Sequence, residues 1–427
     1  MIDLIHTGQM IRSSGLGLEN KSRGGGSIRP TRKILALCLL DLFLPLLVML
    51  NYFAISLGPL ISAIQIITFL SIISLTSKPN RQVMKVFIIL LVMIVISLIK
   101  MIVLSDTLID SNFSFESIGP YFFSLIMPSM IFITVFSLSN VDLNDLQDDL
   151  VWFAKCYLAF TAPLILMYTI MRLTGRIDYF GLGLNFHYFA PYFFHKTSSV
   201  LGLVILILLT GKRAVAVNFV VQFALYSVHS LFRSPIKMLL ITTLVVICSI
   251  FGGHALAPLF RRYILMYEVF SNSNFNDGLL SLANSYEAIV LFGGRLEEIL
   301  AIIHYFQAHP GQLWFGAPPG ANFVWEVVQS DYSTTKSYAH LTWLGYLFRY
   351  GLVPTSVLIL FFIRVATQYA KLNNPLWLVF IGTLVSATFG ANLFYSSTAW
   401  VMIALYVRFS KATIVEVRKN SRVSKRF

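Results

Sequence analysis

Residues 33–52 read KILALCLLDLFLPLLVMLNY, and between the two ends the only charged side chain is Asp41. Twenty residues rising 1.5 Å each in an α-helix cover about 30 Å, the thickness of a bilayer's hydrocarbon core. A carboxylate in that layer costs roughly 2.5–3.5 kcal/mol. Asp41 stands about two turns past Lys33, so a shallow, snorkelled or hydrogen-bonded acid accounts for it. Further apolar runs fall at 58–76, 84–104, 119–138, 151–171, 178–195, 197–210, 214–231, 236–253, 342–363, 375–391 and 395–409. They predict an all-α, polytopic transmembrane helical bundle of about twelve spans. Charged residues make up 12% of the chain, about half the share in a soluble domain, and the mean hydropathy is +0.75. A β-barrel is excluded, because its strands would alternate apolar and polar residues.

Net charge is +13, yet its distribution argues against nucleic acid. Basic residues gather in the N-terminal tail (Arg12, Lys21, Arg23, Arg29, Arg32, Lys33) and the C-terminal tail (Lys411, Arg418, Lys419, Arg422, Lys425, Arg426). Such tails are retained on the cytoplasmic face. The sequence therefore divides into a disordered basic cytoplasmic tail (1–32), N-terminal spans (33–253), a large periplasmic loop (254–341), C-terminal spans (342–409) and a second basic tail (410–427). The first span serves as the insertion signal. In this threading the acidic turn with Asp106, Asp110 and Glu116 is outside, and Arg233, Lys237, Arg364 and Lys371 are inside. The turn from Asp142 to Asp149 falls inside although acidic; acids weigh little in orientation. The stretch 178–195, with Asn185, His187 and Pro191, is counted as a span on parity, a re-entrant hairpin being the alternative. Cys38, Cys156 and Cys248 all lie in apolar runs without paired spacing, which speaks against disulfides and zinc.

Three features of this threading share the outer face. LTGKRAVAV places Lys212 and Arg213 between two spans. That is either a misassigned cytoplasmic turn or a pair of cations held where a lipid phosphate would sit. LFGGRLEEILAIIHYFQ, Leu291–Gln307, reads as an amphipathic helix from Arg295 on, with Leu296, Ile299, Leu300, Ile303 and Phe306 on one face. Its opening amides and the Arg295 fork suit an anion, whereas Glu297 and Glu298 are expected as solvated first-turn charges. KSYAHLTWLGYLFRYGLVP, Lys336–Pro354, sets His340 where the polar segment returns to lipid. Histidine's ordinary pKa near 6.5 suits it to accept a proton from a sugar hydroxyl, though a purely interfacial side chain is equally consistent. Between them, LWFGAPPGANF (Leu313–Phe323) is a Gly/Pro turn whose aromatics, Trp314 among them, suit stacking on sugar faces. Asn322 and Tyr338 are further candidates for substrate binding.

The order of these motifs resembles the O-antigen polymerase and O-antigen ligase superfamily, the Wzy-like and WaaL-like membrane glycosyltransferases, over roughly residues 170–365. Thr210–Ala214 (TGKRA) is similar to its short cationic motif, Gly293–Arg295 (GGR) to its loop arginine, and AHLTWLGYLFRYGL to its histidine motif. Leu341 stands where the family often has Asn or Ser, and Arg233 is a rival to Arg213 for the first arginine. The resemblance implies inverting, metal-independent transfer from an undecaprenyl-diphosphate-linked glycan, without a cofactor, in the bacterial inner membrane. Arg213 and Arg295 would stabilise the diphosphate leaving group, Lys212 would help bind the substrate, and His340 would be the base. It leaves room for a chain-length regulator as a protein partner beside the lipid bilayer.

Polymerisation of lipid-linked repeat units into O-antigen or exopolysaccharide is the expected activity. Ligation of glycan onto lipid A–core is the same chemistry on another acceptor. A lipid flippase or transporter is the other class; it should scatter charges through its spans and keep its external loops short, which this chain does not.

Overall fold

The computed structural model describes residues 29–42, 66–68, 70–72, 88, 94–103, 118–138, 143–174, 186–210, 213–230, 295–326, 333–336, 341–368, 374–389 and 396–409. Most of both basic tails, Arg233 and residues 231–294 of the long polar segment and its approach lie outside them. Helix accounts for 89% of the described residues, so the chain is mostly helical, as the apolar runs require.

The helices are α1 (Pro30–Cys38), α2 (Ile94–Val103), α3 (Ile118–Ser137), α4 (Leu143–Leu173), α5 (Thr197–Thr210) and α6 (Arg213–Ser230). After the polar segment begins come α7 (Arg295–Ala308), α8 (Gln312–Phe315), α9 (Thr342–Tyr350), α10 (Leu352–Gln368), α11 (Pro375–Phe389) and α12 (Ser397–Phe409). Local chemistry sets several starts. Pro30 and Pro375 occupy first helical positions, where a missing N–H costs nothing. Asn374 and Ser396 accept from the amides of Leu376 and Ala399, capping α11 and α12. Among the described residues one helix is long and apolar enough to cross a membrane, the Asp145–Leu173 part of α4.

α12 is the hub. From Trp400 to Tyr406 no side chain is more than 2% exposed, so this helix is covered on every side, as a central helix must be. α11 lies along α6 at very short range: a Cβ on Gly382 would collide with the Gln222 amide and lie 2.7 Å from Asn218 Oδ1. Gln222 Nε2 donates to the carbonyls of Leu378 (3.1 Å) and Tyr188 (3.4 Å). These contacts run in opposite directions along the two helices, which makes them antiparallel.

The 178–195 stretch departs from a simple helix. Phe186–Phe193 is a 3-10 helix, and residues 178–185 lie outside the described set. Eight residues at 2.0 Å rise extend about 16 Å, half a hydrocarbon core. The segment is buried against α6 and α11, with His187 Nε2 3.0 Å from Ser386 Oγ.

The acidic turn before α4 is neutralised by the N-terminal tail. Arg29 pairs with Asp145 at 3.0 Å and lies 3.8 Å from Asp149, while Thr31 donates to Asp149 at 2.5 Å. Arg32 stacks over the Trp152 ring at 4.5 Å. At the same end Arg408 of α12 donates to the carbonyls of Val135 and Leu138, capping α3 with a cation where the helix dipole favours one.

The polar segment is partly helical and also carries a short hairpin absent from the sequence reading: β1 (Phe323–Glu326) pairs antiparallel with β2 (Ser333–Lys336), Phe323 opposite Lys336. Its β-branched and aromatic residues suit strands. α7 forms where its spacing predicts a helix, but its buried stripe is Glu298, Ile302, Tyr305 and Phe306, and Ile303 is exposed. Glu298 is fully buried, not the solvated charge expected. The rotation follows from docking: Tyr305 and Phe306 pack on Phe348 of α9, with ring centroids 5.0 and 6.3 Å away.

Asp149→Ala should lower stability by about 1–3 kcal/mol, because it strips a buried hydroxyl of its acceptor. Arg29→Ala, at a half-exposed side chain, should cost about 1 kcal/mol or less. Thermal unfolding of the purified protein in detergent measures both; equal shifts would contradict the assignment.

Candidate functional site

Where the polar segment meets the bundle, a glycine pair permits backbone-to-backbone contact. Gly316 and Gly351 have φ of +84° and +82°. A Cβ on Gly316 would strike the Arg349 carbonyl, and one on Gly351 would strike the backbone of Phe315 and Gly316. Both positions therefore require glycine for conformation and for space. The approach lets Ala317 N donate to Phe348 O at 2.8 Å, tying the Gly/Pro turn to the elbow between α9 and α10.

Arg349 lies beneath this turn, 1% exposed. Its NH1 donates to Ser124 Oγ at 2.8 Å, and its carbonyl accepts from Tyr121 at 3.1 Å. Tyr350 Oη donates to Tyr121 O (3.2 Å) and sits 2.7 Å from Ser124 Oγ. Tyr121 Oη lies 3.4 Å from Ser97 Oγ of α2, and Lys100 of the same helix donates to the Phe315 carbonyl. A crevice too narrow to admit water runs between Tyr121, Pro318, Ala321, Phe348 and Arg349. Above it, Tyr305 donates to Gln312 at 2.8 Å, and burial raises the Tyr305 phenol pKa well above its ordinary value.

Of the candidate residues read from the sequence, Trp314 and Asn322 flank this Gly/Pro turn. Arg213 opens α6 and Arg295 opens α7, though neither side chain belongs to the described set. Lys212, Tyr338 and His340 lie outside the described residues. Trp314 is 53% exposed on α8, and Asn322 is buried just ahead of β1.

Helix register relates two of these positions. Asn218 sits at Gly382, and Arg213 precedes Asn218 by five residues, about 7.5 Å along α6. Because α6 and α11 are antiparallel, the start of α6 is level with the C-terminal end of α11. There Thr388 accepts from Trp343 Nε1 at 3.0 Å. Trp343 is in the first turn of α9 and follows His340 by three residues. The starts of α6 and α9 thus share one end of the bundle. Arg295 stands ten residues before Tyr305, about 15 Å along α7 from the contact with Phe348.

Arg349, Lys100, Tyr121 and Ser124 were not among the candidates read from sequence. The available signal was a cation inside each of two apolar runs, a placement that is costly in lipid and often functional. Among the described residues no three His, Cys, Asp or Glu side chains are arranged to hold a metal ion. No protein-family model, curated protein or solved structure matches the chain.

Gly351→Ala should destabilise the protein by about 1–3 kcal/mol from backbone strain alone, and more from the clash with Phe315. Gly202→Ala, in open space on α5, should be neutral or stabilising by up to about 1 kcal/mol. Melting curves of the two variants check the contrast, and a tolerated Gly351→Ala would refute the close approach.

Proposed function

We propose that the chain is a polytopic enzyme of the bacterial inner membrane, with about twelve spans, that polymerises undecaprenyl-diphosphate-linked repeat units at the periplasmic face. Two sets of contacts support the threading. At the end assigned to the cytoplasm, Arg29 pairs with Asp145 and Asp149, and Arg408 bonds to Val135 and Leu138. Lys100, Tyr121, Ser124 and the turn from Phe315 to Ala317, all assigned to the outer end, meet at Arg349 and its neighbours. An odd number of misread crossings between these elements would have mixed the two groups.

The observation that carries the enzymatic reading is the shared level of the α6 start, with Arg213, and the α9 start, which His340 precedes. In the proposed reaction His340 takes the proton from the acceptor sugar hydroxyl as its oxygen attacks the donor's anomeric carbon. The bond from that carbon to the diphosphate oxygen breaks with inversion, and undecaprenyl diphosphate departs. Arg213 and Arg295 stabilise the charge that develops on the leaving diphosphate, and Lys212 helps bind the substrate. The cations need no metal for this task. Trp314, Asn322 and Tyr338 are assigned to holding the glycan, and a chain-length regulator remains a partner to be sought.

Arg213→Ala, Arg295→Ala and His340→Ala should each abolish long glycan chains at unchanged protein level. Losing one fixed donor of this kind costs about 3 kcal/mol, a rate loss of about 10²–10³-fold. Surface glycans resolved on gels from a deletion strain carrying each variant give the readout. Single repeats on core indicate a polymerase, bare core with accumulated lipid-linked polymer a ligase, and repeats trapped on the inner leaflet a flippase. Full-length chains from His340→Ala would remove it as the base.

A further inference from the structure

Among its described residues the polar segment exposes four large apolar side chains, Ile303, Trp314, Phe315 and Val324, and the two aromatic ones are neighbours on α8. Trp314 and Phe315 of α8 are 53% and 57% exposed, although their neighbours Gln312 and Ala317 are buried. Their position in the bundle suggests what covers them. Lys100, near the end of α2, donates to the Phe315 carbonyl, and Gly351, at the start of α10, is packed against the Phe315 backbone. α8 therefore sits between the ends of α2 and α10.

Both flanking helices expose aliphatic stripes. On α2 these are Ile99, Ile102 and Val103, the last two at 73% and 70%; on α10 they are Leu352, Val353 and Val357. On membrane spans such side chains face lipid tails, and the backbone contacts of Phe315 with Lys100 and Gly351 set α8 beside the ends of both helices. Large apolar side chains exposed near one another mark a contact surface, and tryptophan is enriched at the level of lipid headgroups. Lys100, near the end of α2, is bonded to the Phe315 carbonyl and so ties α8 to that helix at this level.

We infer that α8 is a membrane anchor. Trp314 and Phe315 insert into the headgroup region of the outer leaflet and hold the base of the polar segment against the bilayer surface. The occupant of the patch is phospholipid. This rests on the membrane-spanning reading and changes one assignment within it: Trp314 serves the bilayer instead of stacking on sugar.

The test is site-directed spin labelling of the full chain, with Cys38, Cys156 and Cys248 replaced by alanine, in nanodiscs of phosphatidylethanolamine and phosphatidylglycerol. Labels are placed through Trp314→Cys and Phe315→Cys, with Val103→Cys as the lipid reference and Gln307→Cys as the water reference. Labels at 314 and 315 should collide with dissolved oxygen more than with a soluble nickel chelate, as at 103 and opposite to 307. A wet label at 314 beside a dry one at 103 overturns the anchor while leaving the spans intact. A wet label at 103 overturns both. A second measurement keeps the native cysteines: tryptophan emission quenched by brominated phospholipid should lose quenchable signal in Trp314→Phe, and an unchanged quenched fraction overturns the proposal.

Discussion

Backbone carbonyls and amides at the foot of the polar segment face an apolar bundle, where an unmatched group costs more than a hydrogen bond returns. The groups that satisfy them are what hold the segment in place. The side chains of Lys100 and Tyr121 serve the carbonyls of Phe315 and Arg349, and the backbone amide of Ala317 serves that of Phe348. The Gly316–Gly351 approach makes these bonds reachable, and the buried Arg349 guanidinium fastens α9 to α3 through Ser124. Charge matters here because a hydrogen bond to an ionised donor is about twice as strong as a neutral one.

A foot fixed in this way gives that end of the bundle a defined shape. α9 is located by its aromatic contacts with α7 and by the Trp343–Thr388 bond, and α6 by its close antiparallel packing on α11. Catalysis by preorganised cations needs this rigidity, since a displacement of about 1 Å in a reacting group can cost about 10²-fold in rate. In the proposed reaction the rigid parts are the helices, and the charged groups stand at their ends.

The helical class was legible in the apolar runs, and α7 in its spacing, because both depend only on local periodicity. The facing of α7 was not. Its buried stripe is chosen by Phe348, a residue more than forty positions away, and that choice also buries Glu298. Arg29 neutralises an acidic turn more than a hundred residues distant, so the turn read as an anomaly until the pair was visible. The hairpin and the 3-10 segment escaped for similar reasons: four-residue strands and a Pro-containing aromatic stretch carry little period of their own. Arg213 and Arg295 were visible as cations before apolar helices. Arg349 was passed over because it stands inside a run that reads as a span.

The central claim is that Arg213 and His340 meet at the outer surface of the membrane. Paired variants Arg213→Cys and His340→Cys, in a chain with the native cysteines replaced, test it by thiol cross-linking in intact spheroplasts. Cross-linking that a membrane-impermeant thiol reagent blocks from outside is the expected result. Labelling of either cysteine only after lysis, or two labelled cysteines that no short cross-linker joins, would contradict the account.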